Sequence, residues 1–153
     1  MASVQASVSC RDIISPMQDI AHILGLEKVA SIVSDFYDRV QQHKTLAVPF
    51  ASVHDWPEHK RHLTHFWWVT LGGKPYRAKP YQVAQKHAAA GFTPALLVDW
   101  LALFRTTLAR HLPQDLAEQW YARAQRIGRS LTLMHEFNRG ERAPQAMAVS
   151  KRN

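Results

Sequence analysis

The sequence predicts an all-α fold. Its apolar residues recur at the three- and four-residue spacing that places side chains on one face of a helix. Helix start and stop signals are also present: Asp55 and Glu58 form an N-terminal capping box, Thr93 precedes Pro94, and Gly72-Gly73 follows a helical pattern. No segment sustains the alternation of apolar and polar residues that a half-buried strand requires.

The helices follow one another along the chain with one long interruption. They are expected at about residues 17–24, 26–42, 55–71, 94–111 and 115–138, with at most one further short helix at about 83–89. The rest of segment 73–92 carries two prolines and two glycines and is expected to be a loop. Segment 45–54 is expected to be irregular.

Length and composition predict one domain, a helical core over residues 17–138. At 153 residues and 46% hydrophobic content the chain can bury a core without disulfides, and it has one cysteine, Cys10. Residues 1–16 and 139–153 lack apolar periodicity, and we expect them to be a flexible extension and a flexible basic tail. No signal peptide and no membrane-length apolar run is found, so we expect a cytoplasmic monomer that does not bind membranes.

The formal net charge of +7 raises the question of nucleic acid. The charges are scattered or lie in the tail, without a basic helix face interleaved with aromatic residues. A solvated basic surface is therefore favoured over nucleic-acid binding.

Three long helices each direct large side chains inward. The predicted inward positions are Val29, Ile32, Val33, Phe36, Tyr37 and Val40 on helix 26–42; Leu97, Trp100, Leu101, Phe104 and Leu108 on helix 94–111; and Trp120, Ala124, Ile127, Leu131 and Met134 on helix 115–138. Because Tyr37 is on a buried stripe, its phenol requires a hydrogen-bond partner.

The helix expected at about residues 55–71 carries most of the stretch EHKRHLTHFWWVTLGG, residues 58–73. At about 100° per residue, His59 shares a face with Leu63, Phe66, Trp67 and Thr70, whereas His62 and His65 are turned away by about 60° and 120°. Three histidines spread in this way cannot all bind one zinc ion, and there is no HExxH motif, no GxSxG elbow and no phosphate-binding loop.

Tyr37, His59 and Trp100 thus come from three separate helices, each at a buried position. His87 lies in the loop before the third of the four long helical patterns. An apolar slot with a histidine on each side and a few inward donors is typical of a haem pocket.

A family resemblance supports this interpretation. The chain resembles the truncated haemoglobins, and most closely their third group, over about residues 27–137. The segments that carry the likeness are SDFYDRV (34–40), AVPF (47–50), EHK…HFWW (58–68), QKH (85–87) and DWLALF (99–104). The resemblance implies a two-over-two helical sandwich around non-covalent haem b.

The resemblance also implies residue roles. His87 would be the proximal iron ligand; Tyr37, His59 and Trp100 would be the distal residues that stabilise a bound gas, with His59 able to act as a sixth ligand. Phe50 would stack on the porphyrin, and Leu63 and Trp67 would line the same side. His62 is expected near the haem edge, His65 on the solvent side, and Trp68 receives no role.

Such a protein would bind oxygen, nitric oxide, carbon monoxide or peroxide. Strong hydrogen bonding to the ligand disfavours oxygen transport and favours tight binding with redox chemistry, such as nitric oxide dioxygenation or weak peroxidase activity, served by an unidentified reductase. The alternatives are a non-haem basic helical module that binds metal or nucleic acid through His59, His62 and His65, and a haem sensor that signals through its tails.

Overall fold

Five helices make up the part of the chain that the structure, a computed structural model, describes: residues 20–78 and 91–148, with side chains as far as residue 137 and that of Arg139. They are α1 (Ile20–Leu24), α2 (Leu26–Gln42), α3 (Trp56–Thr70), α4 (Pro94–His111) and α5 (Gln114–Ala148). No strand occurs in these residues, so the all-α prediction is confirmed. The predicted helix at 83–89, the proposed ligand His87 and the N-terminal extension lie outside the described residues.

Helix α2 lies at the centre of the fold and packs against α1, α3 and α4, while α4 packs against α5. All six residues of its predicted inward stripe are buried, and Tyr37 is the most exposed of them at 4%. Each buried aliphatic or aromatic side chain of this kind stabilises the fold by about 1.5–3 kcal/mol relative to an exposed one. The apolar period of α2 therefore determines where the other helices pack.

Side-chain caps fix where α3 and α4 begin. The Asp55 carboxylate accepts a hydrogen bond from the Glu58 backbone N–H at 3.1 Å, and the Thr93 hydroxyl oxygen accepts one from the Leu96 N–H at 3.3 Å. Both caps were predicted, and both precede a proline in the first turn. These caps set the first turns of the two helices that carry His59 and Trp100.

Helix α5 departs from the prediction in two ways. It continues to Ala148 rather than ending near Asn138, although the added residues include a glycine and a proline, which disfavour a helix interior. Met134, predicted to point inward, is 48% exposed. The helices α4 and α5 run antiparallel, and Gly128 already lies against Leu97 near the start of α4. At Met134, α5 therefore extends beyond the N-terminal end of α4.

None of the helices in the described ranges is long and apolar enough to span a membrane.

Candidate functional site

An apolar cleft lies between the four long helices. Its empty space is about 440 Å³, a volume that includes open solvent. Helices α2, α3 and α4 contribute Tyr37, Leu63, Phe66, Trp67, Leu97 and Trp100, and α5 contributes Ala124, Ile127, Gly128 and Leu131, with Phe92 before α4. Of the side chains predicted to bind the cofactor, Leu63, Trp67 and Trp100 are therefore brought together.

Stacked rings form one wall of this cleft. Phe104 stacks on both Trp67 and Trp100, with ring centroids 5.3 and 4.8 Å apart and interplanar angles of 20° and 27°. Trp120, which is fully buried, closes the wall from behind at 5.8 Å from Trp67. Aromatic pairs in such geometries add about 0.5–1.5 kcal/mol each beyond the area they bury. The Trp67 and Trp100 rings are consequently held in fixed orientations.

Two side chains with polar tips, Tyr37 and Trp100, line the cleft. They are 4% and 9% exposed, and the ring of Phe36 contacts both, at 4.9 Å from Tyr37 and 5.0 Å from Trp100. A phenol O–H and an indole N–H are both hydrogen-bond donors. The cleft thus combines an apolar lining with donors supplied by α2 and α4.

A hydrogen bond outside the cleft positions the α4 end of this pair. The Thr45 hydroxyl donates to the Asp99 carboxylate at 2.7 Å, which fastens the segment after α2 to the residue before Trp100. In the same segment, His43 Nδ1 accepts the backbone N–H of Thr45 and of Leu46, each at 3.3 Å. The irregular segment that carries Phe50 is therefore anchored at its first residues.

Three aromatic rings surround His59. The imidazole centroid lies 5.9 Å from that of Tyr37, 6.1 Å from Phe50 and 5.4 Å from Trp56, each in an edge-to-face arrangement. We call these three rings the His59 cage. His59 and Phe50 are not among the described residues that line the cleft, but both lie against the ring of Tyr37, which does.

Trp56 is a site residue that sequence reasoning missed. A signal was available, because Trp56 precedes His59 by three residues on a helix, and residues at that spacing share a face. Gly128 was also missed, and its sequence context gives no indication of a place in the cleft wall.

His62 lies beside Glu58 rather than in the cleft lining that the structure describes. Its Nε2 is 3.1 Å from a Glu58 carboxylate oxygen, and its side chain is 38% exposed. Hydrogen bonds from Arg61 and Arg77 lower the pKa of Glu58 to about 2. The carboxylate therefore remains charged throughout the physiological range and is shared by three basic side chains.

His65 is buried, at 6% exposure, so the prediction that it lies on the solvent side is wrong. Its Nε2 accepts hydrogen bonds from the backbone N–H groups of Tyr76, at 3.1 Å, and Arg77, at 3.3 Å. The segment after α3 folds back over this helix face, a contact that helical periodicity cannot reveal. Burial, with the Arg77 and His62 charges, lowers the pKa of His65.

Trp68 fastens the turn after α3. Its indole N–H donates to the Lys74 carbonyl at 3.0 Å, and its ring lies edge-to-face with His22, 5.7 Å away. A methyl group placed on Gly73 would come within 2.2 Å of this ring. Glycine is thus required here by close approach, and the role of Trp68 is structural.

The lining of the cleft fits a flat apolar cofactor such as haem. Stacked aromatic rings form one side, and on the α5 side Gly128 lets Leu97 pack against the helix backbone, because a Cβ there would come within 3.0 Å of a Leu97 methyl. Among the described residues, no group of three histidine, cysteine or carboxylate side chains could hold a metal ion directly. His59, His62 and His65 therefore do not form a metal site of their own.

Comparison with known families identifies the chain. Residues 21–132 match the sequence profile of the family described as bacterial-like globin. Comparisons with individual characterised proteins and with solved structures give no match. Since the profile spans all of α2, α3 and α4 and the part of α5 that lines the cleft, the chain belongs to the bacterial-like globin family and is a haem-based gas-binding protein.

Proposed function

We propose that this globin belongs with the third group of truncated haemoglobins and holds haem b non-covalently in the cleft, with His87 as the iron ligand. The observation that supports the proposal is the cleft itself, an apolar space whose lining includes two side chains that carry hydrogen-bond donors, Tyr37 and Trp100. Haem, when bound, supplies an iron that binds diatomic gases and exchanges electrons.

The residues of this chain would perform three tasks. Leu63, Trp67 and Phe50 exclude water from the cofactor and fix its plane. Tyr37 and Trp100 donate hydrogen bonds to a polarised ligand in a medium of low dielectric constant, where such bonds are strong. His59 closes the space beside Tyr37 and supplies a third polar group.

Such donors favour tight binding over oxygen delivery. A hydrogen bond to a group that carries charge is worth about 1.5–3 kcal/mol, so two donors on one ligand slow its release considerably. We infer a role in redox chemistry of nitric oxide or peroxide, with electrons from a separate reductase, rather than in oxygen transport. The same donors would polarise the O–O bond of a peroxide, because a preorganised donor stabilises the charge that develops there.

Titration of the purified protein with haemin tests the proposal. We expect saturation at about one haemin per chain, an intense absorption band at about 410 nm, and a red shift of that band when carbon monoxide is added to the reduced protein. Replacing the cleft residue Leu63 with Arg should abolish uptake, whereas Leu133→Arg, on the exposed surface of α5, should not. A wild-type protein that takes up no haemin would contradict the proposal and favour a non-haem module.

A further inference from the structure

Trp56 is the member of the His59 cage that lies on the same helix as the imidazole, α3. Tyr37 and Phe50 approach the His59 imidazole from α2 and from the segment after it. Trp56 approaches from the first turn of α3, with the shortest of the three separations, 5.4 Å, and an interplanar angle of 89°. Trp56 and Phe50 are partly buried, whereas Tyr37 is almost fully buried.

The geometry of a helix gives Trp56 its position relative to His59. Side chains on a helix lean toward its N-terminus, so the ring of a residue covers the turn that precedes it. For His59 the preceding turn is the one that begins at Trp56. An imidazole that turned away from Tyr37 toward solvent would therefore have to pass the indole ring.

The first turn of α3 is itself firmly held. The Asp55 carboxylate caps it through the Glu58 N–H, and Pro57 restricts its backbone. Trp56 also contacts the other two members of the cage, at 6.2 Å from Tyr37 and 6.1 Å from Phe50. The indole thus has a defined orientation and is braced from three directions.

We propose that Trp56 is a positioning residue that holds the His59 imidazole toward the cleft. In that position the imidazole limits the rate at which a gas enters the cleft. Trp56 need not touch the ligand or the cofactor; it acts through His59. The inference rests on the proposed function, because it assumes that the cleft receives a gas.

Carbon monoxide association, measured by flash photolysis of the haem-loaded, reduced protein, tests the role. If the His59 imidazole, held toward the cleft, slows the entry of carbon monoxide, loss of one ring contact in Trp56→Leu should raise the association rate by about 2- to 10-fold. Trp56→Phe should restore a rate within about 2-fold of wild type. Trp68→Phe changes another partly buried tryptophan of the same helix, outside the cage, and should leave the rate unchanged.

A double variant separates positioning from general loosening of the fold. His59→Ala should by itself raise the association rate, and adding Trp56→Leu to it should have no further effect. An unchanged rate in Trp56→Leu, or an equal acceleration in the presence and absence of His59, would overturn the proposal.

A measurement that needs no gas provides the second readout. Nuclear Overhauser contacts between the Trp56 indole and the His59 imidazole, together with the His59 χ1 couplings, should show one rotamer in wild type and averaging in Trp56→Leu. Averaging already in wild type would overturn the inference even if carbon monoxide binds. Failure to take up haemin would instead contradict the proposed function, so the two failures are distinguishable.

Discussion

The imidazole of His65 accepts the backbone N–H of Tyr76 at 3.1 Å, which fastens the segment after α3 to the buried side of that helix. The acceptor nitrogen must be unprotonated for this bond to exist. Tyr76 also lies edge-to-face on the imidazole, 4.6 Å away. Protonation of His65 would therefore place a charge in a buried site and remove the two hydrogen bonds that its Nε2 accepts.

This geometry predicts a loss of stability in mild acid. The pKa of His65 is lowered in the folded protein, so below about pH 6.5 the unfolded chain binds more protons than the folded one, and the free energy of unfolding falls as pH decreases. Urea denaturation at pH 5, 6 and 7.5 should give a smaller decline for His65→Gln, which retains an acceptor without titrating. His54→Gln, at an exposed position, is the control, and equal declines in wild type and His65→Gln would contradict the account.

A second pH window belongs to the carboxylates of Asp35 and Glu58. Hydrogen bonds from His111 and Arg39 lower the pKa of Asp35, while Arg61 and Arg77 lower that of Glu58 to about 2. The stability that these groups contribute is present above about pH 4.5 and is lost as pH falls below it. Asp35→Asn should therefore make the decline in unfolding free energy between pH 4.5 and 3 shallower, whereas Asp115→Asn, at an exposed position on α5, should not. A decline of the same size in Asp35→Asn would refute this assignment.

Gly73→Ala should destabilise the protein by about 1–3 kcal/mol, because the new methyl group would overlap the Trp68 ring. Thermal or urea unfolding measures this cost. In a Trp68→Leu background the added cost of Gly73→Ala should be much smaller, since the ring that collides is absent. Additive costs in the double variant would show that the clash is not the cause.

Tyr37→Phe should speed oxygen dissociation by about 10- to 100-fold, because it removes a donor worth about 1.5–3 kcal/mol. Stopped-flow mixing of the oxygenated protein with excess carbon monoxide measures the rate. Tyr121→Phe removes a phenol that lies outside the cleft lining and should not change it. Unchanged dissociation in Tyr37→Phe would remove Tyr37 from the donor assignment.

Local pattern was sufficient to predict α2 and the beginnings of α3 and α4. The six apolar positions of α2 determine its buried face, and the Asp55 and Thr93 caps depend on residues three positions away. The same periodicity indicated that Tyr37, Leu63, Trp67 and Trp100 point inward, and these four side chains do line one cleft. Their roles toward a ligand remain predictions.

Contacts between distant segments account for what local pattern missed. His65 is buried because residues 76 and 77 fold back over α3. Met134 is exposed because α5 extends beyond the end of α4. Gly73 and Trp68 meet only once the turn after α3 has formed. In each case the deciding neighbour belongs to another element, and a helical repeat contains no information about it.

The most direct test of histidine-ligated haem in the cleft is the absorption spectrum of wild type and His87→Ala, in ferric, reduced and carbon monoxide-treated forms. We predict that wild type shows an intense band at about 410 nm that sharpens and shifts to longer wavelength with carbon monoxide. In His87→Ala this band should collapse, and added imidazole should restore it. A His87→Ala spectrum identical to that of wild type would show that another residue holds the iron and would contradict the account.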